Sequence, residues 1–267
     1  MPVYRLTIEY EGTRYSGWQM QANTPKTIQG HLERAAAEVL GEVSLGGAGR
    51  TDAGVHAIDQ VAHLRCRRPF QPGRLQHELN DRLPSDIHVL RVEKADESFH
   101  ARHDAVSRIY LYQISRRRSA FGKPFVWWIR DSLHLGKMEE ALSLLPGRHD
   151  FAAFADKRIA SESTLVDIER TEIGEDEDLI LIRLGASHFL WRMVRKLVGA
   201  MAEIGRGSLS IDEFGERLRK GRPRFEASAP AAGLFLEAVL YPGDEFRRPL
   251  QSIVPVWSSG RKRGSNG

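Results

Sequence analysis

Cysteine is nearly absent from the 267-residue sequence, because Cys66 is alone and has no partner for a disulfide within the chain. A disulfide-stabilised scaffold is therefore excluded. Long apolar runs are absent as well, since residues such as Arg192 and Glu237 interrupt each hydrophobic stretch well short of a membrane span. No secretory signal is visible before Glu9 and Glu11. These absences predict a soluble, cytoplasmic protein.

Lysine is scarce too, with 8 residues against 31 arginines, and the formal net charge is +4. Hydrophobic residues make up an ordinary 41% of the chain, so general disorder is excluded and one large or two modest domains fit the length. Arginine makes two-point contacts to phosphate and stacks on bases, which suits a nucleic-acid partner. A GC-rich genome explains the same excess, and composition alone leaves both explanations open.

Hydrophobic periodicity and turn residues predict a mixture of strands and helices. Strands are expected over residues 3–10, 58–65, 87–92, 107–115, 165–173, 179–184 and 234–240, and helices over 28–40 (capped by Thr27), 75–83, 135–145, 189–205 and 211–218. This irregular order favours an α+β fold whose mixed, mostly antiparallel central sheet is flanked by helices. We expect two pseudo-duplicated α/β halves, residues 1–104 and 105–245. A C-terminal tail, residues 246–267, should be disordered at its end.

A glycine-rich segment at residues 46–57 carries the clearest chemical signal. It has neither the spacing of a dinucleotide-binding fingerprint nor the lysine of a phosphate-binding loop. Arg50 stands two residues before Asp52, and a neighbouring guanidinium would keep that carboxylate ionised and aim it, as a nucleophile or base requires. A turn in which Asp52 caps backbone amides explains the same composition.

The loop at residues 48–57 resembles the signature of the TruA family of tRNA pseudouridine synthases. Further matches follow in the family's order at residues 10–19, 99–102, 108–112, 193–195 with Gly199, and 229–234. The resemblance covers most of the chain and implies a pseudouridine-synthase-like fold with an active-site cleft between the two halves. It implies an isomerase that converts uridine to pseudouridine at positions 38, 39 and 40 in the anticodon stem-loop of tRNA. Base flipping and exchange of the C–N for a C–C glycosidic bond need no cofactor and no metal.

The resemblance also implies roles for four residues. Asp52 corresponds to the essential aspartate, the nucleophile of the family. Arg50 corresponds to the arginine that inserts toward the flipped nucleotide and helps to orient this aspartate. Tyr110 corresponds to the tyrosine that stacks on the uracil and takes the C5 proton, and Arg195 to the basic residue that pairs with the aspartate. Whether Asp52 attacks the sugar, attacks the base or first abstracts a ribose proton stays open.

Two further segments correspond to tRNA contacts of the family. The first contains Phe99, His100, Ala101, Arg102 and His103, and the second contains Arg158, Ile159, Ala160, Ser161 and Glu162. The second departs from the family pattern, because Glu162 and the Ser-Thr-Leu-Val after it replace a more basic stretch. Histidines at positions 56, 63, 100 and 103 lack carboxylates at ligand spacing, so no metal site is predicted.

The resemblance implies a homodimer that binds tRNA, with one subunit at the elbow and the other presenting Asp52 to the anticodon arm. Trp127 and Trp128 are candidates for an apolar interface, and the arginines of residues 65–74 for a basic surface that runs across it. No membrane partner is expected. Two other function classes stay open, namely a non-catalytic RNA-binding protein and a metal-dependent hydrolase that uses the histidines.

Overall fold

A computed structural model describes residues 1–156 and 163–256. The predicted tRNA-contact segment from Arg158 to Glu162 and the end of the predicted tail lie outside the described residues. The strands are β1 Val3–Tyr10, β2 Val43–Gly47, β3 His56–Cys66, β4 Ile87–Ala95, β5 Ser107–Ser115, β6 Trp127–Trp128, β7 Gly147–Asp150, β8 Leu165–Asp176, β9 Leu179–Ala186 and β10 Leu234–Leu240. The helices are α1 Ile28–Leu40, α2 Pro72–Asn80, α3 Leu135–Leu142, α4 Met193–Arg206 and α5 Ile211–Lys220.

The strands form one sheet in the order β4-β1-β3-β10-β5-β9-β8-β7, with β2 paired to β3 and β6 to β5. Neighbouring strands are antiparallel except at two pairs, β10 with β3 and β5 with β6. The expected α+β fold with a mixed, mostly antiparallel sheet is therefore confirmed. The parallel pairing of β10 with β3 joins strands from the two predicted halves. Their boundary at residue 104 stays a prediction.

Strand β5 crosses the middle of the sheet and is buried along its whole length. The main hydrophobic core covers one face, and α4 contributes a buried stripe to it. On the other face Leu250, Ile253 and Val256 pack against Leu111 and neighbouring residues of β9. The first part of the predicted tail, as far as Val256, therefore packs on this face of the sheet.

Three local predictions differ from the structure. The helix expected from residue 189 begins at Met193, because Arg192 takes a left-handed conformation with φ 60° and ψ 8°. The glycine-rich segment begins inside a strand, since Gly46 and Gly47 belong to β2. The charge of Lys196 predicts an exposed position on the amphipathic α4, but this residue is buried, and its Nζ donates to the carbonyls of Ala155 and Phe225.

Within the described ranges, no helix combines the length and the apolar character needed to cross a bilayer.

Candidate active site

A cleft of about 870 Å³, called here the Asp52 cleft, opens between two chain segments. Residues 48–53 form one wall and residues 188–195 the other, and Arg102, Tyr110 and Leu234 line it as well. The first wall comes from the loop between β2 and β3, and the second leads from β9 into α4. The cleft therefore draws on both predicted halves of the chain.

The Asp52 carboxylate is held by one donor on each oxygen. Trp191 donates its indole Nε1–H to Oδ1 at 2.8 Å, and Arg195 donates from Nη1 to Oδ2 at 3.2 Å. Arg195 is itself fixed, because its Nε donates to the carbonyl of Ala229 at 2.8 Å. The side chain of Asp52 is 18% exposed, so the carboxylate lies at the cleft wall and not in open solvent. The Arg195 guanidinium therefore places a positive charge directly beside the carboxylate.

Contacts from the amino-terminal strand and loop fix the backbone around Asp52. The hydroxyls of Tyr10 and Thr51 share a buried hydrogen bond of 2.8 Å. Trp18 N–H donates to the Thr51 carbonyl at 3.0 Å. Gly54 has a φ of 80°, a conformation that side chains disfavour, and the Val55 N–H then donates back to the Asp52 carbonyl at 3.1 Å. The backbone therefore does form a turn after Asp52, as the alternative interpretation of this segment expected. The Asp52 carboxylate, however, bonds to side chains and not to backbone amides.

Arg50 lies where the sequence placed it, on the same wall as Asp52, but its side chain is exposed. Among the described residues it forms no ion pair, and the guanidinium beside Asp52 belongs to Arg195 instead. The expectation that Arg50 aims the carboxylate is therefore not met in this structure. Its side chain is available to a ligand in the cleft.

Tyr110, which belongs to β5, is largely buried and lines the cleft. Phe189 meets the ring edge to face, with centroids 5.3 Å apart and an interplanar angle of 89°. Burial, followed by the nearby Tyr10 and Asp52, raises the pKa of Tyr110, so its hydroxyl is neutral at physiological pH. An apolar ring that carries a hydroxyl suits a flat, polar-edged ligand such as a base.

Basic side chains surround the single carboxylate of the described cleft lining. Arg50, Arg102, Arg192 and Arg195 all line it, which makes the cleft attractive to phosphate. Arg108 has a different task, because it is buried and donates to four backbone carbonyls. These are the carbonyls of Ala48, Arg102, Ala105 and Ser187. It therefore ties the two walls of the cleft together.

In the first predicted tRNA-contact segment, Arg102 reaches the cleft and the other residues support it. Ala101 is fully buried, and its N–H donates to His63 Nδ1. His100 Nδ1 accepts from the N–H groups of Arg102 and His103. Phe99 packs against the ring of Tyr241, with centroids 5.4 Å apart.

The histidines act in packing and hydrogen bonding. His56 is 1% exposed; its Nδ1 accepts from Gly12 N–H, and its Nε2–H donates to the Pro124 carbonyl. Burial, with His100 nearby, lowers the pKa of His63 to about 4. In residues 1–156 and 163–256, no group of three or more His, Cys, Asp or Glu side chains is arranged to hold a metal ion.

Trp191 is the functional contact that sequence reasoning missed. A signal was present, because Trp191 precedes Arg195 by four residues and would share its face on the helix predicted over 189–205. The structure retains this proximity without the helix, since the chain before Met193 turns at Arg192 and brings both side chains to Asp52.

Comparison with known proteins agrees with this geometry. A profile described as tRNA pseudouridine synthase matches residues 6–104 and 141–242. The tRNA pseudouridine synthase A of Methylocella silvestris is 42% identical over 248 residues, which cover 90% of this chain and 99% of that protein. That of Xanthobacter autotrophicus is 40% identical over 246 residues, with 90% and 100% covered. The tRNA pseudouridine synthase A 2 of Bacillus cereus strain ZK / E33L is 36% identical over 240 residues, with 88% and 98% covered. Because the profile spans most of the chain and the relatives align over nearly their whole length, the chain belongs to the tRNA pseudouridine synthase family.

Proposed function

We propose that this protein isomerises uridine to pseudouridine at positions 38, 39 and 40 in the anticodon stem-loop of tRNA. The observation that carries the proposal is the Asp52 carboxylate, which is fixed by Trp191 and Arg195 and lies in a basic cleft that Tyr110 also lines. Family membership supports the reaction, and the relatives named tRNA pseudouridine synthase A support the substrate class.

The reaction is a balanced isomerisation. The bond from uracil N1 to the ribose C1′ breaks, the base turns within the cleft, and a bond forms from C5 to C1′. The proton leaves C5 and one is taken up at N1, so no oxidant, reductant or phosphate donor enters. We therefore propose that the chain works without a cofactor or a metal.

Access to C1′ requires that the nucleotide leave the base stack, which costs a few kcal/mol. Stacking on an aromatic ring returns about 1–3 kcal/mol per base, and Tyr110, braced by Phe189, is the ring we propose for this contact. Asp52 then supplies the carboxylate, whether it attacks the sugar, attacks the base or first abstracts a ribose proton. Tyr110 is neutral in the resting enzyme. Its hydroxyl can therefore accept the C5 proton only if it transfers its own proton to another group.

We propose that the arginines of the cleft divide into two roles. Arg50, exposed beside Asp52, enters the space that the flipped nucleotide leaves. Arg102 and Arg192 contact phosphates of the anticodon arm. The segment from Arg158 to Glu162, outside the described residues, stays a predicted second tRNA contact.

We also propose that the working unit is a cytoplasmic homodimer with tRNA bound across both subunits. Trp128 is 42% exposed next to the half-buried Trp127, and an exposed tryptophan suits the apolar centre of an interface. Arg67 and Arg74 are exposed in the basic stretch proposed to run across it. Sedimentation at low micromolar concentration should give twice the 30.1 kDa monomer mass. A stable, fully active monomer would contradict this arrangement.

The function is tested by mapping pseudouridine in bulk tRNA from cells with and without the protein. Purified protein should then restore the missing sites in tRNA from the deficient cells and release tritium from [5-³H]uridine-labelled tRNA. An otherwise identical Asp52→Asn protein separates catalysis from RNA binding alone. Unchanged maps, or full restoration by the Asn variant, would overturn the proposal.

A further inference from the structure

We infer that Trp191 is a positioning residue that sets the orientation of the Asp52 carboxylate in the reaction. The inference rests on the proposed function, because it concerns the same carboxylate. Its basis is the 2.8 Å hydrogen bond from Trp191 Nε1–H to Asp52 Oδ1. Neither composition nor the family signature loop draws attention to this contact, since Trp191 lies 139 residues from Asp52 in the chain.

Two donors on different oxygens fix the plane of the Asp52 carboxylate, which a single donor cannot do. The terminal torsion of an aspartate is broad, so a carboxylate held at one oxygen can turn about its Cβ–Cγ bond. Arg195 alone holds Oδ2 at 3.2 Å, and the shorter bond from Trp191 holds Oδ1. With both in place, the plane of the carboxylate is fixed, and the lone pairs left on each oxygen face a defined direction in the cleft.

The two donors also differ in charge. Arg195 is a cation and brings positive charge to the carboxylate, whereas the indole N–H is neutral and adds direction without adding charge. The indole is itself held in place, because the guanidinium of Arg192 lies 5.0 Å from the centre of its ring. Loss of the indole N–H should therefore disturb the geometry of the reaction and leave the charge of the cleft unchanged.

Two variants of Trp191 test this assignment in the full-length protein. Trp191→Phe keeps an aromatic ring and removes the N–H, and Trp191→His keeps a ring N–H. We expect Trp191→Phe to lower kcat roughly 10- to 100-fold, because a misplaced catalytic group costs about this much, while KM for tRNA stays within about threefold. Trp191→His should recover a large part of the lost kcat. Wild-type kcat in the Phe variant, or equal losses in both variants, would overturn the inference.

A spectroscopic measurement tests the contact without any activity. The chain has five tryptophans, so its ¹H–¹⁵N spectrum contains five indole signals, of which Trp191→Phe removes and identifies one. Trp128→Phe serves as a matched assignment control. In free protein, Asp52→Asn should shift the Trp191 signal far more than the other four. An unmoved Trp191 signal would overturn the inference. Absence of tritium release from wild-type protein would instead overturn the proposed function, so the two failures are distinguishable.

Discussion

Asp52 and Arg195 lie 143 residues apart in the chain and form an ion pair in which Arg195 Nη1 is 3.2 Å from Asp52 Oδ2. Asp52 comes from the loop before β3, and Arg195 from the first turn of α4. Strand β10 lies between β3 and β5 and connects the regions that carry the two residues. The charged centre of the cleft therefore forms only when both parts of the sheet are folded together.

Asp52→Asn should abolish turnover and leave tRNA affinity within about threefold. The amide has the shape of the carboxylate without its charge, and phosphate contacts elsewhere dominate affinity. We expect tritium release from labelled tRNA to fall at least about 10³-fold. Asp59→Asn is a matched control, because Asp59 lies outside the cleft lining and pairs with Arg248 at 3.0 Å. Near-wild-type release by Asp52→Asn would remove Asp52 from the reaction.

Tyr110→Phe should reduce kcat much more than it weakens tRNA binding. The ring remains available for stacking, and only the hydroxyl is lost. Tyr112→Phe is the control on the same strand, since the Tyr112 hydroxyl donates to the Pro230 carbonyl at 2.8 Å. That variant should keep its kcat and lose about 1 kcal/mol of unfolding free energy. If Tyr110→Phe keeps the wild-type kcat while Tyr110→Ala loses it, the ring alone matters and the hydroxyl has no role.

The sequence predicted several elements to the residue. Strands β1, β5 and β10 have the expected bounds because their β-branched, aromatic and alternating residues are unambiguous. Thr27 caps α1 as expected, accepting from Gly30 N–H. Motif matching named Asp52, Tyr110 and Arg195, which the structure brings to the same cleft.

The errors have physical causes. Strand β2 was not predicted, because Gly46 and Gly47 have a low intrinsic preference for strands. Pairing with β3 overrides that local preference in the structure. The identity of a non-glycine residue does not predict a positive φ, so the left-handed Arg192 and the start of α4 at Met193 were not predictable. Trp191 was missed because its partner is distant in sequence.

Arg195→Lys should lower kcat roughly 10- to 100-fold although the charge is kept. Arg195 uses two separate nitrogens, Nη1 for Asp52 and Nε for the Ala229 carbonyl, and one ammonium cannot reproduce both contacts in the same geometry. Each hydrogen bond that involves a charged group contributes about 1.5–3 kcal/mol. Arg206→Lys, on the same helix but outside the cleft lining, should leave kcat unchanged. Full activity of Arg195→Lys in a steady-state assay would show that charge alone suffices.

The kcat of the enzyme should not rise between pH 8 and pH 9.5 through ionisation of Tyr110. Burial is the main cause that raises the pKa of this tyrosine, with Tyr10 and Asp52 adding to it. A raised pKa means that the proton is held to higher pH, so the phenol stays neutral throughout this range. A phenolate base of ordinary pKa, about 10, would instead give close to a tenfold rise in kcat per pH unit below that value. Single-turnover rates with saturating enzyme measure this directly, and a tenfold rise that disappears in Tyr110→Phe would contradict the expectation.

Arg192→Gly should be more stable than Arg192→Ala by about 1 kcal/mol. Position 192 has φ 60° and ψ 8°, a left-handed conformation that a Cβ atom disfavours and glycine adopts freely. Both variants lose the same guanidinium, including its 3.6 Å ion pair with Asp156, so their difference isolates the backbone. Urea unfolding measures the free energies. At Glu216, an exposed residue inside α5, the order should reverse, because glycine costs a helix about 1 kcal/mol relative to alanine. If alanine is at least as stable as glycine at both positions, the left-handed turn that brings Trp191 to Asp52 is not the conformation of the protein in solution.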